Sequence, residues 1–119
     1  MTPAFKVIEG YIHNGRVGVL VEIGLDTSFT AGMAEFKQLA KDIALQVAAA
    51  PISDIEALMA QNFVKDPTLS IAQLLGNASR QLGERIVVTR FVRWETDEGV
   101  IHPPQPSPAV AAVGGRRAS

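Results

Sequence analysis

From Val17 to Leu25 apolar and polar positions alternate: Val17, Val19, Val21, Ile23 and Leu25 fall at every second residue, with Gly18, Glu22 and Gly24 between them. A period of two places the apolar set on one face of a strand, so that face is buried. Just upstream, Tyr11-Ile-His leads into Asn14-Gly15. An Asn-Gly pair readily takes the positive backbone angles of a tight primed turn, so Tyr11 to Ile23 predicts a β-hairpin.

The period then changes. Phe29, Met33, Phe36, Ala40, Ile43 and Val47 are spaced by three and four, which predicts one helix from Phe29 to Ala50, with Lys37, Lys41 and Asp42 off its apolar stripe. Thr27 or Ser28 can accept a hydrogen bond from a free amide of the first turn, so either suits the N-cap. Pro51 ends the helix. Residues 54–61 predict a short, weaker helix, and Val64-Lys-Asp-Pro67 a connecting loop.

A second clear helix starts at Ser70, whose spacing to Gln73 fits a capping box, and its stripe is Ile71, Leu74, Leu75, Ala78 and Leu82. Gly83 suits the left-handed position just past the helix end. The run from Arg85 to Glu95 is rich in β-branched and aromatic residues and predicts a third strand. The order β-β-α-(α)-α-β groups like elements together. It points to an α+β fold, a small three-stranded antiparallel sheet with helices packed on one face.

Composition sets the outer limits. The chain has 119 residues, 47% of them hydrophobic, enough for one modest core and too few for two ordinary domains. Four prolines fall between residues 103 and 108. A stretch of that kind builds no packed core, so residues 1–101 are expected to form the domain and residues 102–119 a disordered Pro-rich tail. A net charge of −1 gives no electrostatic reason for a nucleic-acid partner or an anionic membrane surface, and Arg116-Arg117 in the tail do not change that. With no cysteine, disulfides, thiolate metal sites and cysteine nucleophiles are excluded. No secretory signal or membrane-spanning run is visible, and a cytoplasmic protein is expected.

Candidate chemistry is sparse. His13 and His102 have no second ligand type at metal spacing and read as solvated residues. Nothing approaches a phosphate-binding loop with its lysine. Asp26, Glu35, Asp42, Asp54 and Glu56 are spread along the chain, the helical ones mostly on polar faces. No enzyme site, metal site or cofactor site emerges, and a binding function is the expectation.

Several segments together resemble the core of elongation factor Ts. They are Tyr11-Ile-His-Asn-Gly-Arg-Val-Gly-Val-Leu-Val-Glu22, Asp26-Thr-Ser-Phe-Thr-Ala31, Glu35-Phe-Lys-Gln-Leu-Ala-Lys-Asp-Ile-Ala44, Phe63-Val-Lys-Asp-Pro67, Leu82-Gly-Glu-Arg-Ile-Val-Val88 and Arg90-Phe-Val-Arg93, in the family's order. The resemblance covers residues 11–99. It implies a guanine nucleotide exchange factor that binds the translation GTPase elongation factor Tu and releases GDP. In the family the hairpin-to-helix junction reads Thr-Asp-Phe-Val, and its Asp-Phe pair wedges into the GTPase near the magnesium site. Here the junction is Thr27, Ser28, Phe29 and Thr30, with serine at the aspartate position. The turn after the second helix also lies at the GTPase surface in the family, which carries a partner role onto Leu82 and Gly83, while Arg85 departs from the usual Gly-Glu-Asn.

Two alternatives stay open for Phe29: the start of the core stripe with Met33 and Phe36, or a partner contact. The resemblance favours the contact. Family members also carry an N-terminal helical module related to ubiquitin-associated domains, and many have two core-like halves. This chain is expected to enter the core within about ten residues, without that module, and its single core resembles the short members that pair as homodimers. Two functional readings follow, a reduced exchange factor and a scaffold that keeps the elongation factor Tu-binding surface, or only the fold, without promoting exchange.

Overall fold

The computed structural model describes residues 2–96. The expected tail at 102–119, His102 and the end of the expected domain lie outside the described residues. Within them the chain forms β1 (Phe5–His13), β2 (Val17–Leu25), α1 (Ser28–Ala31), α2 (Ala34–Ala49), α3 (Ile55–Ala60), β3 (Asn62–Phe63), β4 (Asp66–Ser70), α4 (Ile71–Leu82) and β5 (Val87–Glu95). The fold is α+β, with a three-stranded antiparallel sheet in the order β1-β2-β5 and a separate two-stranded hairpin, β3-β4.

Local chemistry accounts for the element boundaries. Asn14 and Gly15 have φ of 54° and 70°, the double positive turn that an Asn-Gly pair tolerates, and the Arg16 amide donates to the His13 carbonyl at 3.0 Å. At α4 the Gln73 amide donates to Ser70 Oγ at 3.0 Å, while the Ser70 amide donates to Gln73 Oε1 at 2.8 Å, a complete capping box. Gly83 closes that helix at φ 73°, in the left-handed region where a side chain would be strained.

The core lies between the sheet and the helices. Val19, Val21, Ile23 and Leu25 line the inner face of β2 and meet Phe36, Leu39, Ile43 and Val47 of α2, Leu58 of α3, and Ile71 and Leu75 of α4. Burying each large aliphatic or aromatic side chain stabilises the fold by roughly 1.5–3 kcal/mol. Arg93 ties β5 to the end of α2. Its Nε donates to the Val47 carbonyl and its Nη2 to the Ala48 carbonyl, both at 3.1 Å, satisfying groups that have no partner within the helix.

Two expectations need correction. The helix expected from Phe29 to Ala50 is broken: α1 ends at Gly32, Met33 is extended with ψ 144°, and α2 begins afresh at Ala34. The three-and-four spacing does not carry across a change of helix axis, so Phe29 leaves the stripe. The loop expected at 64–67 is in fact the tip and return strand of the β3-β4 hairpin, with Phe63 opposite Asp66. Strands of two and five residues, one holding Pro67, show no alternation to read. A distant side chain holds them instead. Gln46 of α2, only 2% exposed, accepts from the Val64 amide at 2.9 Å and donates to the Asn62 carbonyl at 3.0 Å.

Candidate functional site

Strand β2 ends at Leu25, buried in the core, and the chain leaves the sheet through Asp26 and Thr27. Thr27 is the N-cap of α1, and its Oγ1 accepts from the Thr30 amide at 3.3 Å. Thr30 is turned inward and 4% exposed, whereas Ser28 is exposed and Phe29 is 80% exposed. A phenyl ring standing in solvent contributes nothing to the core. Phe29 is therefore not the first residue of the core stripe.

The second predicted segment meets the first here. Leu82 is half-buried against the core, and Gly83 reverses the chain so that Glu84 faces the junction. Glu84 Oε1 accepts from the backbone amides of Asp26 at 2.9 Å and Thr27 at 3.1 Å. Glu84 Oε2 accepts from the hydroxyls of Thr27 and Thr30. These hydrogen bonds, those from Thr27 and Thr30 first, stabilise the carboxylate and hold its pKa below the ordinary glutamate range. The turn is braced a second time, with the Arg85 amide donating to Asp26 Oδ2 at 3.3 Å and the Arg85 guanidinium 3.7 Å from Asp26 Oδ1.

Of the residues expected at the site, Thr27 and Thr30 are gathered around Glu84, and Leu82-Gly83 position it. Ser28 and Phe29 are left facing solvent. Glu84 and Asp26 are the residues that sequence reasoning missed as site members. The available signal was a carboxylate directly after a helix-stop glycine, but its partners lie more than fifty residues away along the chain, beyond what local spacing reveals.

The outer face of the large sheet is also apolar. Registered pairing aligns Ile12, Gly18 and Trp94 in one row, Gly10, Leu20 and Val92 in the next, and Ile8, Glu22 and Arg90 in a third. Ile8, Ile12, Leu20, Val92 and Trp94 are all exposed. Arg90 reaches Glu22 with Nε at 3.2 Å from Oε1, and Thr89 Oγ1 donates to the same oxygen at 2.7 Å. A depression of about 310 Å³ lies over this row and the Leu20 row.

Among the described residues no group of three or more histidine, cysteine, aspartate or glutamate side chains is arranged to hold a metal ion. No helix among them is long and apolar enough to cross a membrane. The junction is a polar bracket around Glu84 that presents an exposed aromatic residue, Phe29.

No protein-family model matches the chain. Individual relatives do. Elongation factor Ts of Desulfitobacterium hafniense is 33% identical over 140 residues, taking in 79% of this chain and 64% of the relative. Elongation factor Ts of Carboxydothermus hydrogenoformans is likewise 33% identical over 140 residues, with the same shares. For elongation factor Ts of Thermoanaerobacter pseudethanolicus the identity is 30% over 140 residues, 79% of this chain and 69% of the relative. The chain thus spans a little under two thirds of the length of the first two. The matches also run over more positions than the 119 residues of the chain, so these relatives carry internal residues with no counterpart here. With 69% of a relative covered at 30% identity, the chain belongs to the elongation factor Ts family.

Proposed function

We propose that this chain binds elongation factor Tu through Thr27, Ser28, Phe29 and Thr30, supported by Leu82 and Gly83, and promotes release of GDP. The observation that carries the reading is Phe29, which stands 80% exposed at a junction braced on either side by the Thr27 amide and the Thr30 hydroxyl, both donating to Glu84. A solvent-facing aromatic ring on a braced stretch of backbone suits an interface anchor, because it brings large apolar area with only about two side-chain torsions to fix.

Exchange needs no covalent step. A partner that binds the nucleotide-free GTPase more tightly than the GDP-bound form weakens GDP by the same factor. On this reading the chain is not an enzyme of bond-making chemistry, requires no cofactor, and works in the cytoplasm on a protein partner. It also pairs as a homodimer through the outer sheet face, which otherwise leaves Ile8, Ile12, Leu20, Val92 and Trp94 in water.

One observation favours a second reading. Ser28 stands where the family's junction has aspartate, so the carboxylate that would disturb a magnesium site is missing. The rival is a chain that binds elongation factor Tu without promoting exchange. The experiment follows complex formation and release of a fluorescent GDP together, with the host's elongation factor Tu. Phe29→Ala is expected to weaken binding by about 2 kcal/mol or more, the scale of a buried interface aromatic. Its melting temperature should match that of the natural chain, because the ring is outside the core. Ser28→Asp is expected to speed GDP release. If both the natural chain and the Ser28→Asp variant bind yet leave GDP release at its spontaneous rate, the non-exchanging reading holds instead.

A further inference from the structure

Helix α1 has four residues, too few to be stable alone, and its ring-bearing residue has no packing to hold it. What fixes Phe29 must act through its neighbours. On the N-terminal side the Asp26 and Thr27 amides are taken by Glu84 Oε1; on the C-terminal side the Thr30 hydroxyl, and across the turn the Thr27 hydroxyl, are taken by Oε2. Each carboxylate oxygen therefore receives two donors, which an ionised glutamate can accept and a neutral amide cannot match at both positions. Glu84 is also half-buried and outside the core, so its removal opens no cavity there.

We propose that Glu84 is a positioning residue, whose four hydrogen bonds to Asp26, Thr27 and Thr30 hold Phe29 in the outward, contact-ready orientation. The inference rests on the reading of Phe29 as the contact. Glu84 acts by pre-organisation: without it the junction samples other conformations, and apparent affinity falls in proportion to the fraction still competent. Its effect is thus transmitted through the aromatic ring and vanishes when the ring is gone.

The test is a double-mutant cycle. Affinity for the host's elongation factor Tu is measured by calorimetry for the full chain and for Phe29→Ala, Glu84→Ala and the double variant, with melting temperatures alongside. Glu84→Ala is expected to weaken binding about tenfold in the natural background and by less than about twofold in the Phe29→Ala background, as two residues acting as a unit do. In the absence of partner, amide hydrogen exchange at Asp26 and Thr27 should quicken in Glu84→Ala while the β2 core amides keep their protection. Should Glu84→Ala fail to fold, Glu84→Gln takes its place in the cycle; its one carbonyl oxygen still accepts two of the four donors, so a smaller loss is expected, again confined to the background that keeps Phe29. Equal losses in both backgrounds, or unchanged exchange at Asp26 and Thr27, would overturn the positioning role while leaving the contact reading intact. A Phe29→Ala variant that binds as the natural chain does would instead remove the contact reading, and the positioning role with it.

Discussion

Glu84 and Glu22 are carboxylates whose neighbours stabilise the ionised form. Glu84 is held low by the Thr27 and Thr30 hydroxyls, and Glu22 by the Thr89 hydroxyl and the Arg90 guanidinium. A folded-state pKa below the unfolded value gives stability that is fully present above the ordinary glutamate range. As pH falls, the unfolded chain takes up the proton first, and the stabilisation fades until the folded pKa is passed. Glu84→Gln removes one such group. Its urea midpoint, followed from about pH 7 to about pH 3, should start below that of the natural chain and fall less steeply, so that the two curves converge in acid. A gap between the curves that stays constant throughout would mean that the charge on Glu84 does not stabilise the fold. At this scale the sequence was only partly readable. Local chemistry offers Thr27 or Ser28 as the cap and Gly83 as a helix stop; the cap proves to be Thr27, and Gly83 does end α4. Glu84 was invisible in that role because its four donors are distant in sequence, and Phe29 looked equally like core because periodicity carries no warning of the break at Gly32-Met33.

Elements with strong local signals were legible, and those held by a remote partner were not. The hairpin turn at Asn14-Gly15 and the capping box at Ser70 and Gln73 each lie within a few residues, so spacing alone identifies them. The β3-β4 hairpin instead depends on Gln46, which sits on a buried face of α2 and bonds to Gln61, Asn62 and Val64. Nothing local marks that glutamine, which in a helical stripe looks like an ordinary polar residue. Its structural role makes a definite prediction. Gln46→Ala removes the hydrogen bonds to the Val64 amide and the Asn62 carbonyl and should destabilise the domain by about 1–3 kcal/mol, at roughly 0.5–1.5 kcal/mol for each bond. Urea denaturation measures the loss, and faster hydrogen exchange at Val64 should accompany it. If the stability falls but Val64 stays protected, the hairpin is held by something other than Gln46.

For the whole molecule the two-layer architecture was readable because β2 alternates so cleanly, and the same alternation says that one side of the sheet has helices and the other does not. The sequence left open how apolar that uncovered side is, since it depends on the register that aligns residues from three strands. In the structure Ile12 and Trp94 flank Gly18, and Leu20 and Val92 continue the patch beside Gly10. The two glycines keep the surface low where Ile12 and Leu20 lean across them, the Ile12 Cδ1 lying 3.6 Å from where a Gly18 Cβ would stand. A second copy packed face to face would remove this patch from water. Trp94 reports on the event directly, because it is the chain's single tryptophan and is 76% exposed in the isolated chain. Its fluorescence should be blue-shifted at high micromolar concentration and move to the red on dilution, in step with sedimentation changing from a dimer to a 12.7 kDa species. Leu20→Lys should abolish the concentration dependence without lowering the monomer's helix content, since a charge at the centre of a self-facing patch meets its own copy across the two-fold axis. Emission typical of exposed indole at every concentration, together with a single 12.7 kDa species in the natural chain, would rule the face out as a contact between copies.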